Sequence, residues 1–275
     1  MALRFLVCDA YDVAGRESLA AAGCTAAGEL YARLLRRLQP GCEVGIAFPA
    51  DAGGDPDHAL AGADGVVWTG SSLTIHRERD PRIRRQLALC RAAFAAGVPQ
   101  FGSCFAAQLA VTAAGGSCAP NPKGREFGVA AGITPNAEGK AHPLFQGKAI
   151  PFDALTSHED EVVRLPPGAT VLASNAWSAV QAVDVRHARG VFWAVQYHPE
   201  YDLREVARLT ALRKTQLIAQ GRFRDDADAA DWAARMEAIE AGQGDAAGLD
   251  PGVADAAARS REVANWIAHQ VEGRR

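Results

Sequence analysis

Apolar positions follow two rhythms along this chain. Over the first 115 residues, short apolar runs alternate with stretches at helical spacing. Leu3-Arg4-Phe5-Leu6-Val7-Cys8 reads as a short buried strand. A long connection rich in Ala and Gly follows, from Asp9 to about Cys24. Residues 27–38 put Leu30, Tyr31, Leu34, Leu35 and Leu38 at helical spacing and stop at Pro40-Gly41. Residues 42–48 and 65–68 are the second and third strands, and residues 50–56 carry turn chemistry. Asp80 and Pro81 supply an N-cap and a first helical position for a helix that runs to about Ala96 and ends at Gly97. A fourth strand at 98–102 leads directly to Cys104, and residues 105–114 are again helical.

Beyond residue 115 the rhythm changes. Strands are predicted at 129–133, 162–165, 171–174, 179–185 and 191–196, with little helix between them, and the segment 186–190 looks like a hairpin turn. A helix at 203–220 follows, then Ala-rich helices at about 226–241 and 253–272. Alternating strands and helices argue for an α/β fold, an open and mostly parallel sheet flanked by helices. The expected organisation is one domain over 1–222 and a helical C-terminal extension over 223–275.

Composition narrows the function. Hydrophobic residues make up 48% and charged residues 22%, ordinary for a globular protein. The 29 basic and 32 acidic residues leave a net charge of -3, so the basic footprint of a nucleic-acid partner is missing. No apolar run is long enough to span a bilayer, and the N-terminus runs straight into a strand pattern without a signal-peptide core. The expected compartment is therefore the cytoplasm. The six cysteines, at 8, 24, 42, 90, 104 and 118, form no CxxC pair, so zinc-site spacing is absent, no metal or cofactor is expected, and free thiols are.

Cys104 stands apart from the others because of its setting. Gly102-Ser103-Cys104-Phe105-Ala106-Ala107-Gln108 joins a strand to a helix. A sharp turn there lifts one side chain out of the sheet. The helix N-terminus then favours thiolate, and its free amides can bind an oxyanion. The competing reading is a merely buried cysteine. A second segment, Gln196-Tyr197-His198-Pro199-Glu200, ends another apolar strand. A cysteine nucleophile needs a base and a group that orients it, and His198 with Glu200 can supply both. The bland alternative is a structural histidine at a strand end. The two segments lie 94 residues apart (104 to 198), each at the carboxyl end of a predicted strand, where open α/β sheets carry their sites.

These residues resemble the class I (triad) glutamine amidotransferases. The family elbow is Gly-x-Cys-x-Gly-x-Gln, here Gly102 to Gln108, and its second signature is Gln-aromatic-His-Pro-Glu, here Gln196 to Glu200. Arg125-Glu126-Phe127-Gly128 and Ser157-His158-Glu159-Asp160 are similar to stretches of the GMP synthetase glutaminase domain. Thr69-Gly70-Ser71-Ser72 sits where the family carries its oxyanion loop. Ala106 replaces the elbow's second glycine, the oxyanion loop keeps only Gly70, and the connection after the first strand is longer than the family's turn.

The resemblance implies a thioester on Cys104, with His198 and Glu200 completing the triad. It implies an oxyanion hole from Phe105 with Gly70 or Ser71. It also implies that Gln108, Ser157 and His158 contact the α-amino and α-carboxylate groups of a small-molecule substrate. A solvated turn at 158–160 is the competing reading for that last segment. The reaction would open the γ-carboxamide of glutamine or a γ-glutamyl amide. Three readings stay open: a free-standing γ-glutamyl hydrolase, a glutaminase subunit feeding ammonia to a separate synthetase, and a non-catalytic scaffold. The helical tail could be a homodimer contact, a cap or a docking surface; its plainest role is to cover one sheet face. Specificity is expected from residues 9–24 and 121–127, loops at strand ends.

Overall fold

The structure is a computed structural model that describes residues 2–53 and 60–274. The part of the expected turn at 54–56 lies outside the described residues. β1 (Arg4–Cys8) is followed by α1 (Val13–Ala21), α2 (Ala27–Leu38), β2 (Glu43–Ala47) and β3 (Gly65–Trp68). α3 (Pro81–Ala96) leads to β4 (Gln100–Ser103), α4 (Phe105–Ala113), β5 (Ser117–Pro120), β6 (Glu126–Pro135) and α5 (Ala137–Ala141). Then come β7 (Phe152–His158), β8 (Asp160–Arg164), β9 (Ala169–Ser174), β10 (Ala182–His187) and β11 (Gly190–Val195). α6 (Leu203–Ala219) and α7 (Asp226–Glu240) precede three short helices, α8 (Pro251–Ala254), α9 (Ala256–Arg259) and α10 (Arg261–Trp266), which end in a π turn at Ile267–Val271.

Among the described residues, nine strands form one sheet in the order β2-β1-β3-β4-β11-β10-β9-β6-β7. The four pairings from β2 to β11 are parallel, and the four from β11 to β7 are antiparallel. The parallel part is the expected α/β sheet, and the antiparallel half makes the whole a mixed sheet. That half curls. His198 donates its backbone N–H to Leu155 O of β7 at 2.8 Å, although β7 is the far edge in pairing order. The last strand therefore returns over the carboxyl ends of β4 and β11.

Strand alternation divides the core between the two faces of the sheet. Leu6 and Cys8 point to one side, where they meet Trp68, Phe94, Leu109 and Phe192 under α3 and α4. Phe5 and Val7 point to the other, where Tyr31 and Leu35 of α2 pack with Phe101, Trp193 and Trp266. The end of the tail thus covers one sheet face, the plainest role expected of it, while α7 packs with α6 in a separate cluster. Trp266 is fully buried between Phe5 and Phe101, with ring centroids 5.9 and 5.8 Å away. Glu262, also buried, accepts from Lys148 Nζ and from Tyr197 Oη, each at 2.6 Å, and so ties the tail to the end of β11.

Three expectations need correction. The connection 9–24 contains a helix, α1, started by Asp12, whose carboxylate accepts from Gly15 N at 2.9 Å. Its only buried side chain is Leu19, too little apolar signal to reveal a helix in the sequence. The helix expected at 253–272 is broken, because Asp255 caps a new start by accepting from Ala258 N. β5 and β7 were not foreseen. β7 reads Phe-Asp-Ala-Leu-Thr-Ser-His, and its polar Thr156, Ser157 and His158 are buried because they sit beneath the curled sheet rather than in water.

Candidate active site

Cys104 stands at the junction of β4 and α4 with φ 57° and ψ -109°, a left-handed conformation that costs a non-glycine residue about 1–3 kcal/mol. Its backbone N–H donates to Val195 O of β11 at 2.8 Å, which locks the elbow to the neighbouring strand. A Cβ on Gly102 would come within 2.4 Å of the Ala106 methyl and 2.7 Å of Trp68 O. Gly102 is therefore obligatory, and its missing side chain is what makes room for Ala106 where the family has glycine. Phe105 opens α4, so its N–H belongs to the first turn, which has no intrahelical acceptor.

His198 follows β11 and is buried, with Nδ1 2.7 Å from Glu200 Oε1. Tyr201 stacks on the imidazole at 3.8 Å and 3°. Ser103 Oγ donates to the same Glu200 oxygen at 2.8 Å. The Tyr31 hydroxyl stands close by without closing a hydrogen bond, and burial with the Glu200 charge pushes its phenol up. Burial opposes charge on His198, but the Glu200 carboxylate and the neighbouring Cys104 sulfur outweigh it and raise the imidazole to about 9. The site therefore holds His198 as an imidazolium at neutral pH.

Gly70 reaches the same point from β3. A Cβ there would lie 2.8 Å from His198 Cε1 and 3.6 Å from Cys104 Cβ. The loop is held rigidly: Thr69 Oγ1 accepts from Ala10 N, and Ser71 Oγ donates to Ala10 O, each at 2.9 Å. The Ser71 hydroxyl is thus committed to the loop, which leaves its backbone as the group available to a ligand.

Cys104 opens into a cavity of about 340 Å³, which Gln108, Ser157 and His158 also line. Gln108 Nε2 donates to Asp160 O at 3.1 Å. Cys104 Sγ lies 3.6 Å from Ser157 O. Both ring nitrogens of His158 are engaged, Nδ1 with Asp160 O at 3.0 Å and Nε2 with Glu126 at 2.8 Å. Any contact from His158 to a ligand therefore runs through its backbone. Ser157 and His158 are a buried strand end, and Glu159, with a side chain 41% exposed, makes the bend that joins β7 to β8.

Sequence reasoning gave no role to two arginines of this cavity. Arg213 of α6 donates to Ser157 Oγ at 3.2 Å. Arg125 pairs with Glu159 at 2.5 Å, while its buried Nε has no partner among the described residues. Burial and the nearby Arg213 charge both lower the Arg125 guanidinium. Arg125 and Arg213 thus bring two like charges to one cavity, and Glu159 offsets part of the first. Arg125 was visible within a motif; Arg213 sits on a helix with no local signal. Burial pushes the Cys24 and Cys118 thiols to about 12.

Solved structures share this fold. A glutamine amidotransferase of Thermotoga maritima superposes with a TM-score of 0.62 over 88% of this chain and 95% of its own, at 18% identity. One from Methylobacillus flagellatus does so at 0.60, over 96% and 94%, at 17% identity. The fold is that of the amidotransferases. The chain belongs to the class-I glutamine amidotransferase family, whose model matches residues 60–212. A γ-glutamyl-L-1-hydroxyisopropylamide hydrolase of Pseudomonas sp. is 40% identical over 217 residues, 75% of this chain and 72% of the relative. A GMP synthase of Symbiobacterium thermophilum is 32% identical over 173 residues, 62% of this chain but only 30% of the synthase.

Proposed function

We propose that this protein hydrolyses γ-glutamyl amides, glutamine among them, with Cys104 as nucleophile, His198 as general acid and base, and Glu200 as its orienter. The observation that carries this reading is the strained Cys104 elbow set against a buried His198–Glu200 pair. His198 holds the thiol proton, and the Cys104 sulfur attacks the γ-carbonyl carbon. The oxyanion forms against the amide of Phe105 and that of Gly70 or Ser71. As the C–N bond breaks, His198 gives its proton to the departing nitrogen, and the amine or ammonia leaves a γ-glutamyl thioester. Water then attacks, His198 takes its proton and returns it to sulfur, and glutamate is released. Arg125 and Arg213 receive the α-carboxylate, and Gln108 and the backbone of Ser157 and His158 complete the glutamyl pocket.

Residues 1–222 would form the amidotransferase domain and 223–275 the extension, whose end covers one sheet face. The Pseudomonas relative, which acts on the amide of a small hydroxylated amine, supports a free-standing hydrolase. Similarity to less than a third of a GMP synthase supports the second reading, a glutaminase that supplies a separate synthetase. Purified protein should release amine from γ-glutamyl-p-nitroanilide or ammonia from glutamine without an added partner, and Cys104→Ala should abolish turnover while circular dichroism stays unchanged. Turnover retained in the alanine variant refutes the nucleophile. Turnover seen only with a synthetase present transfers the argument to the second reading.

A further inference from the structure

A second cavity, of about 280 Å³, is lined by Glu200, which does not line the first. Its floor is Pro199–Tyr201, and α2, α6 and the tail wall it. Five guanidinium groups line it, Arg33 and Arg37 from α2, Arg204 and Arg208 from α6, and Arg259 from the tail. The two helices each present arginines one turn apart across the gap.

Four carboxylates line it as well, and each already has one oxygen in a hydrogen bond. Asp202 Oδ1 caps α6 by accepting from Glu205 N at 2.7 Å. Glu205 Oε2 accepts from Thr25 N at 3.1 Å, and Glu240 Oε2 from Leu203 N at 3.0 Å. Glu200 engages His198 and Ser103 through Oε1, and its buried Oε2 has no partner among the described residues. Among the described residues, Arg33 pairs with Glu29 at 3.0 Å, Arg37 donates only to Ser260 Oγ and Ala256 O, and neither Arg204 nor Arg208 has a carboxylate within ion-pair distance. The Arg259 side chain is 7% exposed; it donates to the Val253 and Ala254 carbonyls and stands 3.9 Å from Glu240. A buried, incompletely neutralised cation is costly unless a counter-charge arrives.

We propose that this cavity binds the phosphate group of a small phosphorylated metabolite. Guanidinium forks from three sides offer more donors than the two oxygens of a carboxylate can accept, and a phosphate has three or four. The volume leaves room for a small organic body beyond the phosphate. The tail supplies Arg259 and the outer wall, which gives the segment outside the family match a role. The binding claim is independent of the hydrolase reading.

Binding is measured on the full chain by calorimetry at constant ionic strength, with orthophosphate, pyrophosphate, AMP and, as a dicarboxylate control, glutarate. Phosphate-bearing probes should bind wild type. The double variant Arg204→Ala/Arg208→Ala should lose at least about tenfold in affinity, as expected when charge-assisted donors are removed. Arg213→Met, in the first cavity, should keep the affinity. The proposal fails if none of the phosphate probes binds. It fails equally if Arg213→Met rather than the double variant removes binding, because the anion then sits beside Cys104, or if glutarate binds as tightly as AMP. Circular dichroism and hydrolysis of γ-glutamyl-p-nitroanilide should stay at wild-type levels in the double variant, which separates lost binding from lost fold.

Discussion

Glu200→Gln tests the electrostatics of the candidate triad most directly. The substitution keeps the shape of the side chain and removes its charge. In the native site Glu200 Oε1 accepts from both His198 Nδ1 and Ser103 Oγ. Raising the His198 imidazole from 6.5 to about 9 corresponds to roughly 3 kcal/mol of imidazolium stabilisation, already net of burial. Glu200 and the Cys104 sulfur share it, so losing the Glu200 part should drop the imidazole by at least about one pH unit, or roughly 1.4 kcal/mol. Burial, which opposes the charged imidazole, acts in the same direction. A glutamine amide can also turn its NH₂ toward Nδ1 and hold the wrong tautomer. The expected result is a loss in kcat/KM at pH 7 of about a hundredfold or more. The assay is alkylation of Cys104 by iodoacetamide from pH 4 to 10, beside kcat/KM for γ-glutamyl-p-nitroanilide over the same range. In the variant both profiles should shift in pH, because the His198 imidazole titrates lower without the Glu200 charge. Superimposable alkylation profiles for variant and wild type would refute the coupling. Stability carries the same signature. The folded imidazole titrates above its ordinary value, so its contribution is full below about pH 6.5 and is lost as pH rises through about 9. The urea midpoint of wild type should fall across that window, and that of Glu200→Gln should fall less.

Gly70→Ala would set a Cβ 2.8 Å from His198 Cε1, so kcat should fall at least about tenfold with the melting temperature little changed; unchanged kcat would mean the loop yields freely. Arg213→Met should cut kcat/KM for γ-glutamyl-p-nitroanilide by about ten- to a hundredfold, yet leave 4-aminobutyryl-p-nitroanilide, which lacks the α-carboxylate, unaffected. Equal losses on both substrates would remove Arg213 from carboxylate recognition. Trp266→Ala should cost about 3–5 kcal/mol in a urea titration, since the indole fills the face between Phe5 and Phe101, and a cost under about 1 kcal/mol would make the tail a loose appendage.

Much of this architecture can be read from local sequence. Asp80-Pro81 and Gly97 mark both ends of α3 because capping and the left-handed C-terminal turn are set by neighbouring residues. β3 coincides with its apolar run for a similar reason, since a strand buried on both faces has no polar position to hide it. The elbow at Cys104 and the Tyr-His-Pro-Glu end of β11 are equally local, which is why both sides of the candidate site could be named before any fold was known.

What the chain withheld depends on distant partners. α1 owes its place to a single cap and one buried leucine, with Arg82 of α3 reaching Asp12 from 70 residues away. The polar end of β7 reads as a turn until the curl of the sheet carries Ser157 over Cys104 and buries it. Arg213 joins the cavity only because α6 packs back across the strand ends, and no spacing in the sequence announces that approach. Residues 102–108 and 196–200 determined by themselves which side chains could do chemistry, because elbows, caps and strand ends are short-range properties of the backbone. Tertiary structure alone decided what surrounds them. Charge at the cavity walls and the elevated His198 imidazole arise from groups brought within a few ångströms by long-range packing, and Coulomb forces and desolvation act through space rather than along the chain.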